Sequence, residues 1–375
     1  MLKKFSENQH IKQACSYDIY KNTNNFSSLN GLRCFAIIAV IWAHTGIHID
    51  SLHTFQKGHL GVDLFFAISG YLITTLLLRE HEQHGQLSLT AFYLRRSLRI
   101  FPLYYTVILI YVFAVYHFES SSSAGRDFFT NLPYFLTYTS NWFVPLEGRV
   151  IFYFAWSLAT EEQFYLLWPT VEKFLRGWRV VGFAVAVLII REMTRFAVLT
   201  DQIARDHLAV TIILSIHPAI LGGVILAHLM HNRNTFNLVK PILGANWSSP
   251  LLLASLFAAI EFSLPSGFVW ALMVALVGSV VIRESNGLSY VLRWQPISFI
   301  GLISYGMYLL HMLSFHFAKR ILLAIGIDQD WFWFPATIIV ATLVASISYY
   351  YYESIFLRIK NRYSRIKPKH GAVST

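Results

Sequence analysis

The chain has 375 residues, is 55% hydrophobic and only 13% charged, and carries a formal net charge of +10 with a mean hydropathy of +0.49. A water-soluble domain carries about twice that share of charge, and apolar stretches of roughly 17–25 residues recur along the whole length, so a soluble enzyme is excluded in favour of a polytopic helical membrane protein. The stretches are continuous, without the alternation of a transmembrane barrel.

Residues 1–29 form a polar tail rich in Lys, Asn and Ser, without the layout of a cleaved leader, so the first span is expected to be retained. About ten spans follow, over 32–49, 60–79, 98–117, 151–170, 180–199, 208–230, 249–264, 267–283, 297–320 and 332–355, in a membrane domain drawn at 30–357. Residues 358–375 are a basic tail. An even span count puts both termini on one face, and Lys and Arg choose the face. The tail up to Arg33, Arg79 to Arg99, Lys173 to Arg179, Arg233, Lys240, Arg283, Arg293 and the C-terminal tail share the termini's side. The opposite side holds Lys57, Arg126, Arg149, Arg205, Lys319 and Arg320. Both termini are therefore expected in the cytoplasm. The net charge is this bias plus attraction to anionic lipid, so no nucleic-acid partner is needed. Cys15 and Cys34 offer neither a disulfide framework nor metal-ligand spacing, and no metal is expected. The segment 118–150, outside the membrane, holds an aromatic stretch interrupted by Asn131 and Pro133 and reads as interfacial or re-entrant.

Ionisable residues inside spans cost about 2.5–3.5 kcal/mol each on insertion scales and mark function by default. The first span carries Arg33 and, eleven positions on, His44. On a helix the two share a stripe, roughly 16 Å apart along the axis. Asp63, early in the second span, lies at His44's depth, and a short connector makes the two spans neighbours. A carboxylate beside an imidazole sets its tautomer and raises its basicity; the plainer account is a capping Asp and a His bonded to a carbonyl. In the fourth span, WSLATEEQFYLLWP places Glu161 and Glu162 together, about 100° apart. Their plainer account is an ion pair with Arg191 or Arg195. At the cytoplasmic start of the third span, Arg95, Arg96 and Arg99 are spaced so that at least two share a face. Guanidinium forks suit phosphate, although anchoring explains them too. In the ninth span Tyr305, Tyr308 and His311 follow one another at intervals of three. Gly222 and Gly223 read as a site of close helix packing.

These strings resemble acyltransferase family 3, integral membrane proteins that O-acylate surface sugars and some glycosylated small molecules. Arg33 and His44 match its Arg–ten residues–His signature, GVDLFFAISGYLI its second-helix block with Asp63, and FYLRRSLRIFPLYY its basic motif with Arg96 and Arg99. WSLATEEQFYLLWP matches the fourth-helix block, and ISYGMYLLH and Tyr352-Glu353 the last two helices. The match runs in order from about Leu29 to Phe356. Asn30 stands where an Asp is common, and Ser354 where a Pro usually follows the Glu. No SGNH-type hydrolase domain follows, as expected for the standalone form.

The resemblance implies an O-acyltransferase of the bacterial plasma membrane that takes acyl-CoA, most simply acetyl-CoA, from the cytoplasm to a hydroxyl of a glycan or glycoside. It has no permanently bound cofactor; acyl-CoA is a co-substrate. His44 is then the general base, assisted by Asp63 or Glu161. Arg33, Arg96 and Arg99 hold the donor, while Glu162, Tyr305 and His311 line the site. No Ser or Cys stands out as a nucleophile, so direct transfer and an acyl-enzyme both stay open. The alternative is a proton-coupled transporter using the same His, Asp and Glu residues; the internal repeats common in transporters are not visible. A sensor or scaffold leaves so many intramembrane ionisable residues unexplained.

Overall fold

The computed structural model describes residues 15–23, 26–47 and 53–363. Among them the chain is helical throughout, with no strand. The principal helices are α1 (Ser27–His44), α2 (Leu60–His84), α3 (Leu89–Phe118), α4 (Ser123–Leu136), α5 (Ala155–Phe174) and α6 (Trp178–Leu199). They continue with α7 (Leu208–Ser215), α8 (Pro218–His231), α9 (Arg233–Leu243), α10 (Ser248–Glu261) and α11 (Ser266–Ile282). The last are α12 (Gln295–Leu302), α13 (Ser304–Ala324), α14 (Trp333–Ile347) and α15 (Ser354–Arg362). A π-helical stretch, Ser348–Glu353, joins α14 to α15.

Each of the ten predicted ranges holds a helix. By length and composition four can cross a membrane: α1, α2, α3 and the continuous Asp330–Arg362. The number rises to seven if α7 with α8, α9 with α10 and α12 with α13 each form one broken span, bent by 46°, 71° and 77°. The other three ranges correspond to α5 and α6, which carry several charges, and to α11, which is 17 residues long. The loop predicted over 80–97 shrinks to four residues. Gly85, at φ +70°, closes α2 with its N–H on the His81 carbonyl at 2.8 Å. Ser88 then opens α3, its Oγ accepting from the Ala91 N–H at 3.3 Å. Asn131 and Pro133 do not break the outer segment: both lie inside α4, which at 14 residues is too short to span. The boundary drawn at 357 falls inside α15, and residues 364–375 lie outside the described residues.

The contacts divide the chain into two compact units. In the first, the described residues within 1–75 together with 222–351, α1 is the central element, packed on α11, α12, α13 and α14. Its approach is at backbone distance: a Cβ on Gly301 would collide with the Asn30 backbone, and one on Gly31 with Leu292. Gly223 packs against Ala67 and Tyr71 of α2, the role predicted for it. Buried polar groups tie the helix ends: the Ser27 hydroxyl donates to Glu284 at 2.8 Å, and Asn286 Nδ2 to Ser28 Oγ at 3.3 Å.

The second unit, residues 76–221 with the described residues from 352 on, has an aromatic core. Tyr104 stacks on Tyr138 at 4.3 Å, and Phe152 lies 4.8 Å from Phe154 and 4.9 Å from Tyr111. Tyr138 and Phe152 both hold positive φ, 54° and 65°, a strained state for aromatic residues. Packing sustains it, and Gln163 Nε2 donates to the Tyr138 carbonyl at 2.8 Å. Here α15 lies along α3: the Tyr352 hydroxyl bonds Thr106 Oγ1 at 2.8 Å, and Arg95 Nη1 donates to the Tyr363 carbonyl at 3.0 Å.

Gly301→Val should lower stability by about 1–3 kcal/mol or more, since backbone must move to admit the side chain. Gly182→Ala, in open space on α6, should leave stability unchanged or raise it by roughly 0.5–1 kcal/mol. Thermal unfolding in detergent separates the two; equal melting curves would refute the close α1–α12 approach.

Candidate active site

In the first unit, α1 presents Arg33 and His44 at the predicted spacing, about 16 Å along the axis. Arg33 is half-buried and points Nη1 at Asn30 Oδ1, 3.5 Å away, one turn back. His44 sits on the last turn, with the Val40 carbonyl against its ring. The side chain set beside it is His311 of α13, with ring centroids 4.9 Å apart and planes inclined by 44°. His311 is fully buried, and its Nδ1 lies 2.5 Å from the Tyr308 carbonyl of its own helix. A carbonyl can only accept, so Nδ1 carries the proton and Nε2 of the neutral ring is an acceptor. The fold thus fixes one imidazole's tautomer and lays it against a second.

Asp63, buried near the start of α2, accepts a 2.7 Å hydrogen bond from Trp270 Nε1 of α11. One bond on its carboxylate therefore comes from an indole 207 residues away. Nothing in the local sequence around Trp270 signals that role. Tyr305, half-buried, stands one turn before Tyr308 on α13, and the Tyr308 ring lies 5.6 Å from that of His311.

The second unit holds Arg96, Arg99, Glu161 and Glu162. The three arginines at the start of α3, Arg95, Arg96 and Arg99, are used differently. Arg95 pairs with the buried Glu80 at 2.9 Å and caps the Tyr363 carbonyl, so it is structural. Arg96 lies over the Tyr165 ring at 4.6 Å, within electrostatic range of Glu162 and Glu161. Arg99 makes no hydrogen bond or ion pair among the described residues. Glu162 lies within electrostatic range of Arg96 and of Tyr104 and Tyr105. Arg191 and Arg195, the partners in the plainer account of the carboxylate pair, share Glu192 of their own helix, Arg195 at 2.6 Å. Beyond the pair, Gln163 and Asn141 exchange hydrogen bonds at 2.8 and 2.9 Å. Tyr165, like Trp270, is absent from the sequence-based site; its place one turn after Glu161 and Glu162 was the available signal.

The chemistry on offer is that of a proton acceptor in the first unit and of an arginine-and-carboxylate cluster in the second. The sequence profile of the family described as an acyltransferase domain, acyltransferase family 3, matches residues 26–351. Among curated proteins the chain is 28% identical to "Peptidoglycan O-acetyltransferase OatA" of Listeria monocytogenes, over 89% of this chain and 57% of that protein. It is 25% identical to "Putative peptidoglycan O-acetyltransferase YrhL" of Bacillus subtilis, over 87% and 54% respectively. The chain thus matches a little over half the length of these relatives. No solved structure matches it. With the profile covering both the Arg33–His44 helix and the His311 helix, the chain belongs to acyltransferase family 3.

Proposed function

We propose that this protein is a membrane-embedded O-acyltransferase that moves an acyl group, most simply acetyl, from cytoplasmic acyl-CoA to a hydroxyl of a cell-surface glycan. The observation that carries the reading is the His44–His311 pair, in which a buried ring of defined tautomer backs a less buried one. The names of the relatives, peptidoglycan O-acetyltransferases, support acetyl as the group and a glycan as the acceptor.

In this reading an acceptor hydroxyl gives its proton to His44 as its oxygen attacks the thioester carbonyl. The C–S bond breaks, and the imidazolium returns the proton to the departing thiolate, so ester and free thiol leave with charge balanced. His311 orients His44 from behind, and Asp63, held by Trp270, assists the base. In the second unit Arg96 and Arg99 bind the phosphate-bearing end of the donor, with Glu161 and Glu162 lining that site; in the first, Arg33 is assigned to the donor and Tyr305 lines the site of His44. The topology that belongs to this reading has ten spans, both termini in the cytoplasm, and the plasma membrane of a bacterium as its site.

Membranes carrying His44→Ala should transfer label from acetyl-CoA about 10²–10⁴-fold more slowly than wild type. His311→Phe, which keeps the ring's bulk, should lose a large part of the rate; undiminished product in either variant would sink the paired-imidazole role.

For topology, a Cys15→Ser, Cys34→Ser background should be labelled in intact cells by a membrane-impermeant maleimide at Arg126→Cys and not at Thr375→Cys. Labelling at Thr375→Cys in sealed cells would overturn the cytoplasmic termini.

A further inference from the structure

The antiparallel register of α15 on α3 brings a cation of the C-terminal helix onto the arginine motif. Tyr352 bonds Thr106 and the Pro102 carbonyl, the latter at 3.3 Å, and Tyr363 is held by Arg95. Between these two anchors Lys360 comes against the arginines, within electrostatic range of Arg99, Arg96 and Arg95. Four cations thus converge from two helices of one unit. Two of them are answered: Arg95 by Glu80, and Arg96 by the Tyr165 ring and Glu162. Arg99 and Lys360 are both half-buried, and neither has a hydrogen-bond or ion-pair partner among the described residues. The α15 sequence, SIFLRIKNR, contains no acid.

Two like charges held together on hydrogen-bonded elements, partly out of water and without a carboxylate, form a binding site for an anion. A guanidinium fork beside an ammonium point charge matches the several acceptor oxygens of a phosphate group. We infer that Lys360, with Arg99 and with Arg96 at the edge, forms a phosphate-binding site to which the C-terminal helix contributes. The inference rests on the donor reading above insofar as the phosphate is taken to be that of CoA. A phospholipid headgroup offers the same chemistry, and the two sources are separable by experiment.

The full-length protein, purified in a detergent free of anionic lipid, is titrated with CoA, and separately analysed by native mass spectrometry after exposure to phosphatidylglycerol. Lys360→Gln should weaken CoA binding by about tenfold or more, and Lys360→Arg should restore it to within about threefold. Should Lys360→Gln fail to fold, the wild-type protein gives the same reading: CoA should protect Lys360, and not exposed lysines, from acylation by an amine-reactive ester, read by peptide mass spectrometry. If wild type binds no CoA but retains phosphatidylglycerol in a Lys360-dependent way, the phosphate site stands and the CoA donor reading falls. If CoA binds wild type and Lys360→Gln equally, and lipid retention is also unchanged, the site is overturned.

Discussion

A charge carried into an apolar helix bundle needs a partner on another element, because low dielectric makes both its desolvation and its pairing large. That need organises each unit. Asp63 of α2 is answered by Trp270 of α11 and so pins those two helices together. Arg95 takes Glu80 and the Tyr363 carbonyl, which joins the end of α2, the start of α3 and the end of α15. Arg96 lies on Tyr165 and faces Glu162, which orients α5 against α3. These contacts specify neighbours more than they add stability, since a well-packed apolar substitute often does as well energetically.

Where no charge dictates the neighbour, small residues do. Lipid tails are as apolar as leucine, so helices in a bilayer associate through close van der Waals packing. Gly301 against Asn30 and Gly31 against Leu292 bring α1 to backbone distance from its partners. The 77° bend between α12 and α13 then starts a new helix at Ser304, and two turns later His311 arrives against His44. The placement of the imidazole pair is therefore a consequence of glycine packing and a helix break that lie away from it.

Much of this was legible residue by residue. The Arg33–His44 stripe, the helical content of all ten ranges and the packing role of Gly223 follow from periodicity and residue size. Gly85 and Ser88 also spelled a helix end and a helix start; the charged run REHEQH just before them concealed how short the loop is. The partners were not legible. The indole that bonds the Asp63 carboxylate lies 207 residues on, beyond any local pattern. His311 was one lining residue among several, and only packing sets it against His44. Arg95, Arg96 and Arg99 look equivalent in the motif, and the acids and aromatic rings around them make them differ.

Local order in the chain dictates what each segment must become, because hydrophobic length, caps and periodicity act over one or two turns. Apolar stretches of helical period must satisfy their own backbone, so an all-helical membrane fold follows from composition alone. Which ionisable groups meet depends on contacts between segments hundreds of residues apart, and those are decided by shape and by charge pairing in three dimensions. The pairing of His44 with His311, of Asp63 with Trp270, and of Lys360 with the arginines of α3 belongs to the tertiary structure for that reason.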